Sequence, residues 1–244
     1  MFAVLALAWS AAHPVAERVI PTSAFHAVRL EAVATVHVSI ANENKVILKG
    51  DPRTIGCIAA EANGGTLLIE RRKRPPREHA AAGDAEVVVL GQKGCRRASA
   101  PEEVQIIVQT PSLDRMVLAG SNGNMVLDPI SGPGLDVEIP GKGAIAVEGL
   151  RVRTTRLTVA GHGRIAVTGQ PGHVSVAIAG SGTIDTGHAV ASALDVSVAG
   201  HGHVMANVDG PVSGTIAGTA TVTVHGHPTC RIHKAGKGKI LCPA

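Results

Sequence analysis

The decapeptide TVAGHGRIAV (158–167) decides how this chain is read. It places an apolar residue before an Ala-Gly step, a second glycine two positions on, and another apolar residue five positions after the alanine. The pattern recurs as VLAGSNGNMVL (117–127), EIPGKGAIAV (138–147), AIAGSGTIDT (177–186), SVAGHGHVMA (197–206), TIAGTATVTV (215–224) and HKAGKGKILC (233–242). The leading glycines are Gly120, Gly141, Gly161, Gly180, Gly200, Gly218 and Gly236, so successive copies lie 21, 20, 19, 20, 18 and 18 residues apart. Self-similarity at such a period marks a solenoid, in which each coil is too thin to bury a face alone and must stack on its neighbours.

Aligning the copies on the Ala-Gly step produces columns. Leu118, Ile139, Val159, Ile178, Val198 and Ile216 precede the alanine, while Met125, Ile145, Ile165, Ile184, Val204, Val222 and Ile240 follow it. Strands in neighbouring coils lie about 4.8 Å apart, so like packs on like along the axis and both columns read as core. The alanine column (Ala119, Pro140, Ala160, Ala179, Ala199, Ala217, Ala235) reads as a tight corner with no room for a larger side chain. Lys234 interrupts the first core column in the last copy, where a buried charge would be costly, so that coil is expected to end the stack. The fold class is therefore all-β: a parallel β-helix or solenoid of about 20-residue coils in one continuous domain. A right-handed wind is favoured for parallel connections.

Upstream of the repeats, residues 1–15 read as an export signal cleaved near Ala12, because FAVLALAWSAA (2–12) is an apolar run ending in small residues. Residues 16–112 read as an N-terminal β part of the solenoid, with alternation at Val28, Leu30, Val36, Val38, Ile40 and Val46 to Leu48. Asp51-Pro52 reads as a helix cap followed by proline at the first helical position, giving one turn through Ile55. Asn63-Gly64-Gly65 signals a hairpin between strands at 57–62 and 66–70. RRKRPPREHAAAGD (71–84) is a basic loop, which could touch phosphates but more simply is a solvated connection. Glu86–Leu90 and Val104–Gln109 supply two further strands, and residues 113–244 carry the coils and a C-terminal cap.

Composition narrows the function classes. The 244 residues are 45% hydrophobic and 17% charged, with 29 glycines but only one Trp, two Phe and no Tyr. Stacking platforms for sugars or single-stranded bases are thus scarce, which argues against specific nucleic-acid binding. The net charge of +4 gives at most a weak, non-specific attraction to anionic surfaces. Four cysteines form no CxxC, so close-spaced thiolate metal binding lacks its usual motif, and an even number fits two disulfides in an oxidising compartment. Cys230 and Cys242 fall in inward columns of the last coil, in line with Leu135, Thr155, Val174, Leu194 and Val212, and with Leu127, Val147, Val167, Thr186, Ala206 and Val224. A Cys230–Cys242 disulfide would cap the open end, leaving Cys57 and Cys95 as a second pair; reactive thiols are the alternative reading.

The AGSGTI-type unit, the entry GDPRTIGCIAAEANGGTLLIERR (50–72), the phrase AGSNGNM (119–125) and the ending CRIHKAGKGKILC (230–242) together resemble the head GIN domain family of autotransporter adhesin heads, a domain of unknown function. The resemblance covers roughly residues 24–242. It implies a β-solenoid and a bacterial periplasmic, secreted or envelope setting, with no catalytic or ligand residues to carry over.

Read for chemistry, the residues offer little that converges. The pairs His201/His203 and His225/His227 could place two imidazoles on one strand face, but no carboxylate or cysteine recurs beside them, so surface decoration is the simpler reading. Asp185 has no repeating counterpart, its equivalents being Ala146, Ala166, Met205, Thr223 and Leu241, which rules out a calcium solenoid. Asp136 and Asp195 share an outward column but are separated by Arg156 and Ser175. No cofactor is expected. What the turns do present is a flat ladder, Lys142, His162, His201 and Lys237, suited to an anionic polymer or an envelope protein partner. The sequence reading is an exported, non-enzymatic structural or interaction module, with a glycan-cleaving hydrolase or lyase on the solenoid face as the alternative.

Overall fold

Alternation along each repeat dictates strands, and glycine at each corner lets consecutive strands turn onto different faces. The structure, a computed structural model, describes residues 15–72, 100, 103–120 and 122–243. Within them one continuous sheet of 18 strands winds around a single core. In chain order the elements are β1 (Ala16–Pro21), β2 (Ala27–Leu30), β3 (Thr35–Ile40), β4 (Lys45–Gly50), the one-turn helix α1 (Pro52–Ile55), β5 (Ile58–Asn63), β6 (Thr66–Arg71) and β7 (Val104–Thr110). The coils follow as β8 (Arg115–Leu118), β9 (Gly123–Leu127), β10 (Ser131–Ile139), β11 (Gly143–Val159), β12 (Arg164–Gly169) and β13 (His173–Gly180). The last are β14 (Thr183–Ala191), β15 (Ala193–Gly200), β16 (His203–Gly218), β17 (Thr221–Ala235) and β18 (Lys239–Leu241).

Two long faces result. The first stacks β8, β10, the later half of β11, β13, β15 and the later halves of β16 and β17, all parallel. The second stacks β9, the early half of β11, β12, β14, the early halves of β16 and β17, and β18, again parallel. The expected columns are present in register: Ile145 lies over Met125, Ile165 over Ile145, Ile184 over Ile165, Val204 over Ile184, Val222 over Val204 and Ile240 over Val222. All but Ile240 are buried, as are Leu118, Ile139, Val159, Ile178, Val198 and Ile216 in the facing column. Variation in repeat length is absorbed beyond the second face, where the ladder shifts register between Val147 and Leu150, Ala166 and Thr168, and Thr186 and Val190.

The corner differs from the sequence expectation. Ala160, Ala179, Ala199 and Ala217 are exposed, not confined, because the alanine lies on the outer side of the turn. The confined position is the glycine after it. A Cβ on Gly161 would lie 2.5 Å from the carbonyl oxygen of Gly141, and one on Gly200 would lie 2.4 Å from that of Gly180. Along this column there is thus no room for a side chain between successive coils. At the second glycine a side chain would instead run into the core, as at Gly163, where a Cβ would lie 2.5 Å from Ile139 Cγ2.

The N-terminal part departs from a plain continuation of parallel coils. The first coil, β2 and β3, is sandwiched: β6 and β7 flank it on one side, while β8 and β9 flank it on the other. The chain thus moves outward after β3 and returns after β7 to stack its repeats on the opposite side of the first coil. The outer end is closed by antiparallel pairs, β1 with β4, β4 with β7, and β5 with β6. Alternating apolar residues specify burial of one face but not strand direction, so the antiparallel cap was not legible from periodicity. The two expected local signals are both present. Asp51 Oδ1 accepts from the amides of Arg53 and Thr54 at the start of α1, and Asn63 pairs with Thr66 across Gly64 and Gly65, whose φ angles are +56° and +77°. The expected strand at 86–90, the leader 1–15 apart from Val15, Cys95, and the loop 71–84 beyond Arg72 lie outside the described residues.

Candidate functional site

Three surface features could carry function: the corner ladder, a groove on the first face, and the last coil. The ladder residues Lys142, His162, His201 and Lys237 are all exposed and occupy one column with Ser181 and Thr219. Backbone bonds between adjacent turns brace the column: His162 N donates to Gly141 O at 3.1 Å, Ser181 N to Gly161 O at 2.9 Å, and His201 N to Gly180 O at 2.8 Å. The two formal cations, Lys142 and Lys237, are separated by five coil steps, about 24 Å at the usual strand spacing. Charges that far apart act independently at physiological salt, where screening extends over about 8 Å.

An open groove of about 620 Å³ runs across the coils of the first face, lined by Asp114, Asp136, Arg156, His173, Ser175 and Asp195 among others. The outward column within it has the order expected from the repeats, Asp136 beside Arg156, Arg156 beside Ser175, and Ser175 beside Asp195. Three coil steps put Asp136 and Asp195 about 14 Å apart, beyond the roughly 5–9.5 Å over which two carboxylates share glycoside hydrolysis. The acids at the two ends of the groove, Asp195 and Asp114, are also occupied. His173 Nε2 lies 2.8 Å from Asp195 Oδ2, the Ser213 hydroxyl donates to the same carboxylate, and His26 Nδ1 lies 3.0 Å from Asp114. His173 and Asp114 were not singled out by sequence, since each lies outside the repeated Ala-Gly frame; only coil stacking brings them to the groove.

The histidine pairs divide. His201 and His203 are exposed at and beside the corner, while His227 Nδ1 lies 3.0 Å from Asp209 Oδ1 and its amide donates to the same oxygen at 3.1 Å. The side-chain bond from His227, helped by its amide, holds the Asp209 carboxyl below the usual aspartate value. Among the described residues no group of three or more His, Cys, Asp or Glu side chains could hold a metal ion.

The last coil carries the expected disulfide. Cys230 sits over Val212 in register, and Cys230 and Cys242 are joined with their Cα atoms 6.6 Å apart. Both pack against the end of the core beside Ile232 and Ile240. Cys57 is itself disulfide-bonded, and its expected partner Cys95 is one of the residues not described. Lys234 lies over Ile216 and is exposed, so the apolar column stops one coil earlier, as anticipated.

A stack of parallel coils around one core places the chain in the class of β-solenoids. More specifically, the chain belongs to the family described as "Putative auto-transporter adhesin, head GIN domain", whose model matches residues 24–228. Its fold is similar to the crystal structure of a "putative adhesin" from Bacteroides fragilis, with a TM-score of 0.71, 15% identity, and coverage of 94% of this chain and 97% of that one. A "putative lipid binding protein" from Parabacteroides distasonis is similar at a TM-score of 0.68 and 16% identity, with 94% and 97% coverage. A "putative adhesin" from Parabacteroides merdae follows at 0.63 and 13%, with 94% and 96% coverage. Among curated proteins none matches the sequence significantly. No helix among the described residues is long and apolar enough to cross a membrane.

Proposed function

We propose that this protein is a non-enzymatic, adhesin-head-like interaction module that works on the extracytoplasmic side of a bacterial cell. The observation that carries the reading is the exterior of the described coils: repeated outward columns, rigidly braced by turn-to-turn backbone bonds, that display side chains at fixed spacing. Such a surface recognises an extended partner by matching its repeat. Family membership supports the adhesin-head role. Disulfide bonding at Cys230–Cys242 and at Cys57 supports an oxidising compartment, with residues 1–15 as the export signal, 16–112 as the N-terminal β part and 113–244 as the coils.

Within this reading the corner column Lys142, His162, His201 and Lys237 is the contact for an anionic polymer or an acidic envelope protein. Wide charge spacing makes the contact weak and salt-sensitive. The test is retention on immobilised heparin at low salt. The wild type is expected to be retained and the variant K142Q/H162N/H201N/K237Q to elute at lower salt. Identical elution of the two proteins removes the ladder from the proposal.

A further inference from the structure

Charge along the solenoid is not evenly spread. After Asp209 the sequence contains no Asp or Glu, yet Arg231, Lys234, Lys237 and Lys239 fall within nine residues. All four are exposed, and among the described residues none forms an ion pair. The nearest acid in the column of Arg231 is Asp195, two coil steps away and already engaged by His173.

Stacking places these cations around one coil. Arg231 projects from the first face, in register with the outward Ser213. Lys234 follows the buried Ile216 column but is exposed, so it extends over the open end of the core. Lys237 occupies the corner, and Lys239, in register with Thr221, lies on the second face two residues from Leu241, which is 44% exposed. A single coil is about 4.8 Å thick, so all four charges can reach one plane perpendicular to the solenoid axis together. A linear polymer lying along the axis would meet one or two of them. A peptide strand added to the outer edge of β17, which no described strand pairs beyond Thr223, would reach Arg231 but not Lys239.

We infer that the last coil is an end-on docking surface for a planar anionic phospholipid bilayer, with Arg231, Lys234, Lys237 and Lys239 as headgroup contacts and Leu241 at the apolar tip. The inference rests on the extracytoplasmic reading above only for where such a bilayer is met. The Cys230–Cys242 bond holds the coil as one rigid ring of charge, so little ordering accompanies contact.

Co-sedimentation with vesicles of equal parts phosphatidylglycerol and phosphatidylcholine tests it, with pure phosphatidylcholine vesicles as reference. Each basic residue near an anionic surface strengthens binding about five-fold. The variant R231Q/K234Q/K239Q, which leaves the corner ladder intact, should therefore bind anionic vesicles about a hundred-fold more weakly than wild type. The variant R53Q/R151Q/R153Q removes the same formal charge from exposed sites elsewhere and should bind like wild type. Thermal melts of both variants should match wild type, since all six positions are exposed. Equal losses in the two variants would reduce the effect to net charge and overturn the proposal, as would undiminished binding by the first. Binding of soluble heparin as tight as that of anionic vesicles, lost in the first variant, would overturn it in favour of a linear polyanion. Failure of the ladder variant on heparin leaves these outcomes unaffected.

Discussion

At the scale of single residues, the corner glycines pack directly on the carbonyls of the neighbouring coil. Gly200 has φ +127° and would place a Cβ 2.4 Å from Gly180 O, so Gly200→Ala meets both backbone strain and an immovable carbonyl. It is expected to destabilise by about 2–4 kcal/mol, whereas Ala199→Ser, on the exposed neighbour, should leave the urea midpoint within error. Comparable midpoints for the two variants would reject the close-approach account. Thr155 provides the opposite case. It stands in the inward column between Leu135 and Val174, is 3% exposed, and its hydroxyl has no hydrogen-bond partner. Thr155→Val removes a buried unsatisfied group at nearly constant volume, and should raise stability by about 1 kcal/mol in chemical denaturation.

At the scale of elements, the last coil is held by few contacts. β18 has three residues, and Ile232, Ile240, Cys230 and Cys242 are only partly buried against the core. Covalent closure compensates for the missing neighbour. With a sequence separation of 12, the chain-entropy estimate gives about 3 kcal/mol for the crosslink. C230S/C242S should therefore lower the melting temperature, and in hydrogen exchange the loss of protection should concentrate in β17 and β18. Uniform loss across all coils would mean that the cap does not act locally. The antiparallel cap at the other end presents more packing. It buries Val46, Leu48, Val104 and Val108 completely, and the bonded Cys57 adjoins β5.

At the scale of the whole molecule, coils contact mainly their neighbours, and stability is close to a sum of coil and interface terms. A charge in a central column interrupts that sum on both sides. Ile165→Asp, between Ile145 and Ile184, places an unpaired carboxylate at a fully buried site. Its cost of several kcal/mol is comparable to a domain stability of about 5–15 kcal/mol, so the repeats should unfold. His162→Asn, three residues away but exposed, should leave the thermal melt unchanged. Coincident melts for the pair would overturn the column assignment.

What the sequence by itself determined follows from repetition. A period near 20 residues, carried by residues such as Ile165 and Gly161, specifies which side chains stack, where the corners lie, and that Cys230 and Cys242 meet at an open end; local chemistry at Asp51 and at Asn63-Gly64-Gly65 specifies a cap and a turn. Each of these depends on neighbours in the chain or on the repeat register. Tertiary structure alone decided the rest. The direction of β1 and β4, and the insertion of β2 and β3 between β6–β7 and β8–β9, arise from pairings across long separations that periodicity does not encode. The exposure of Ala160 depends on which side of the turn faces solvent. The groove is likewise a product of stacking, because Asp114, His173 and Asp195 become neighbours in space only when coils about 4.8 Å thick are wound on one axis.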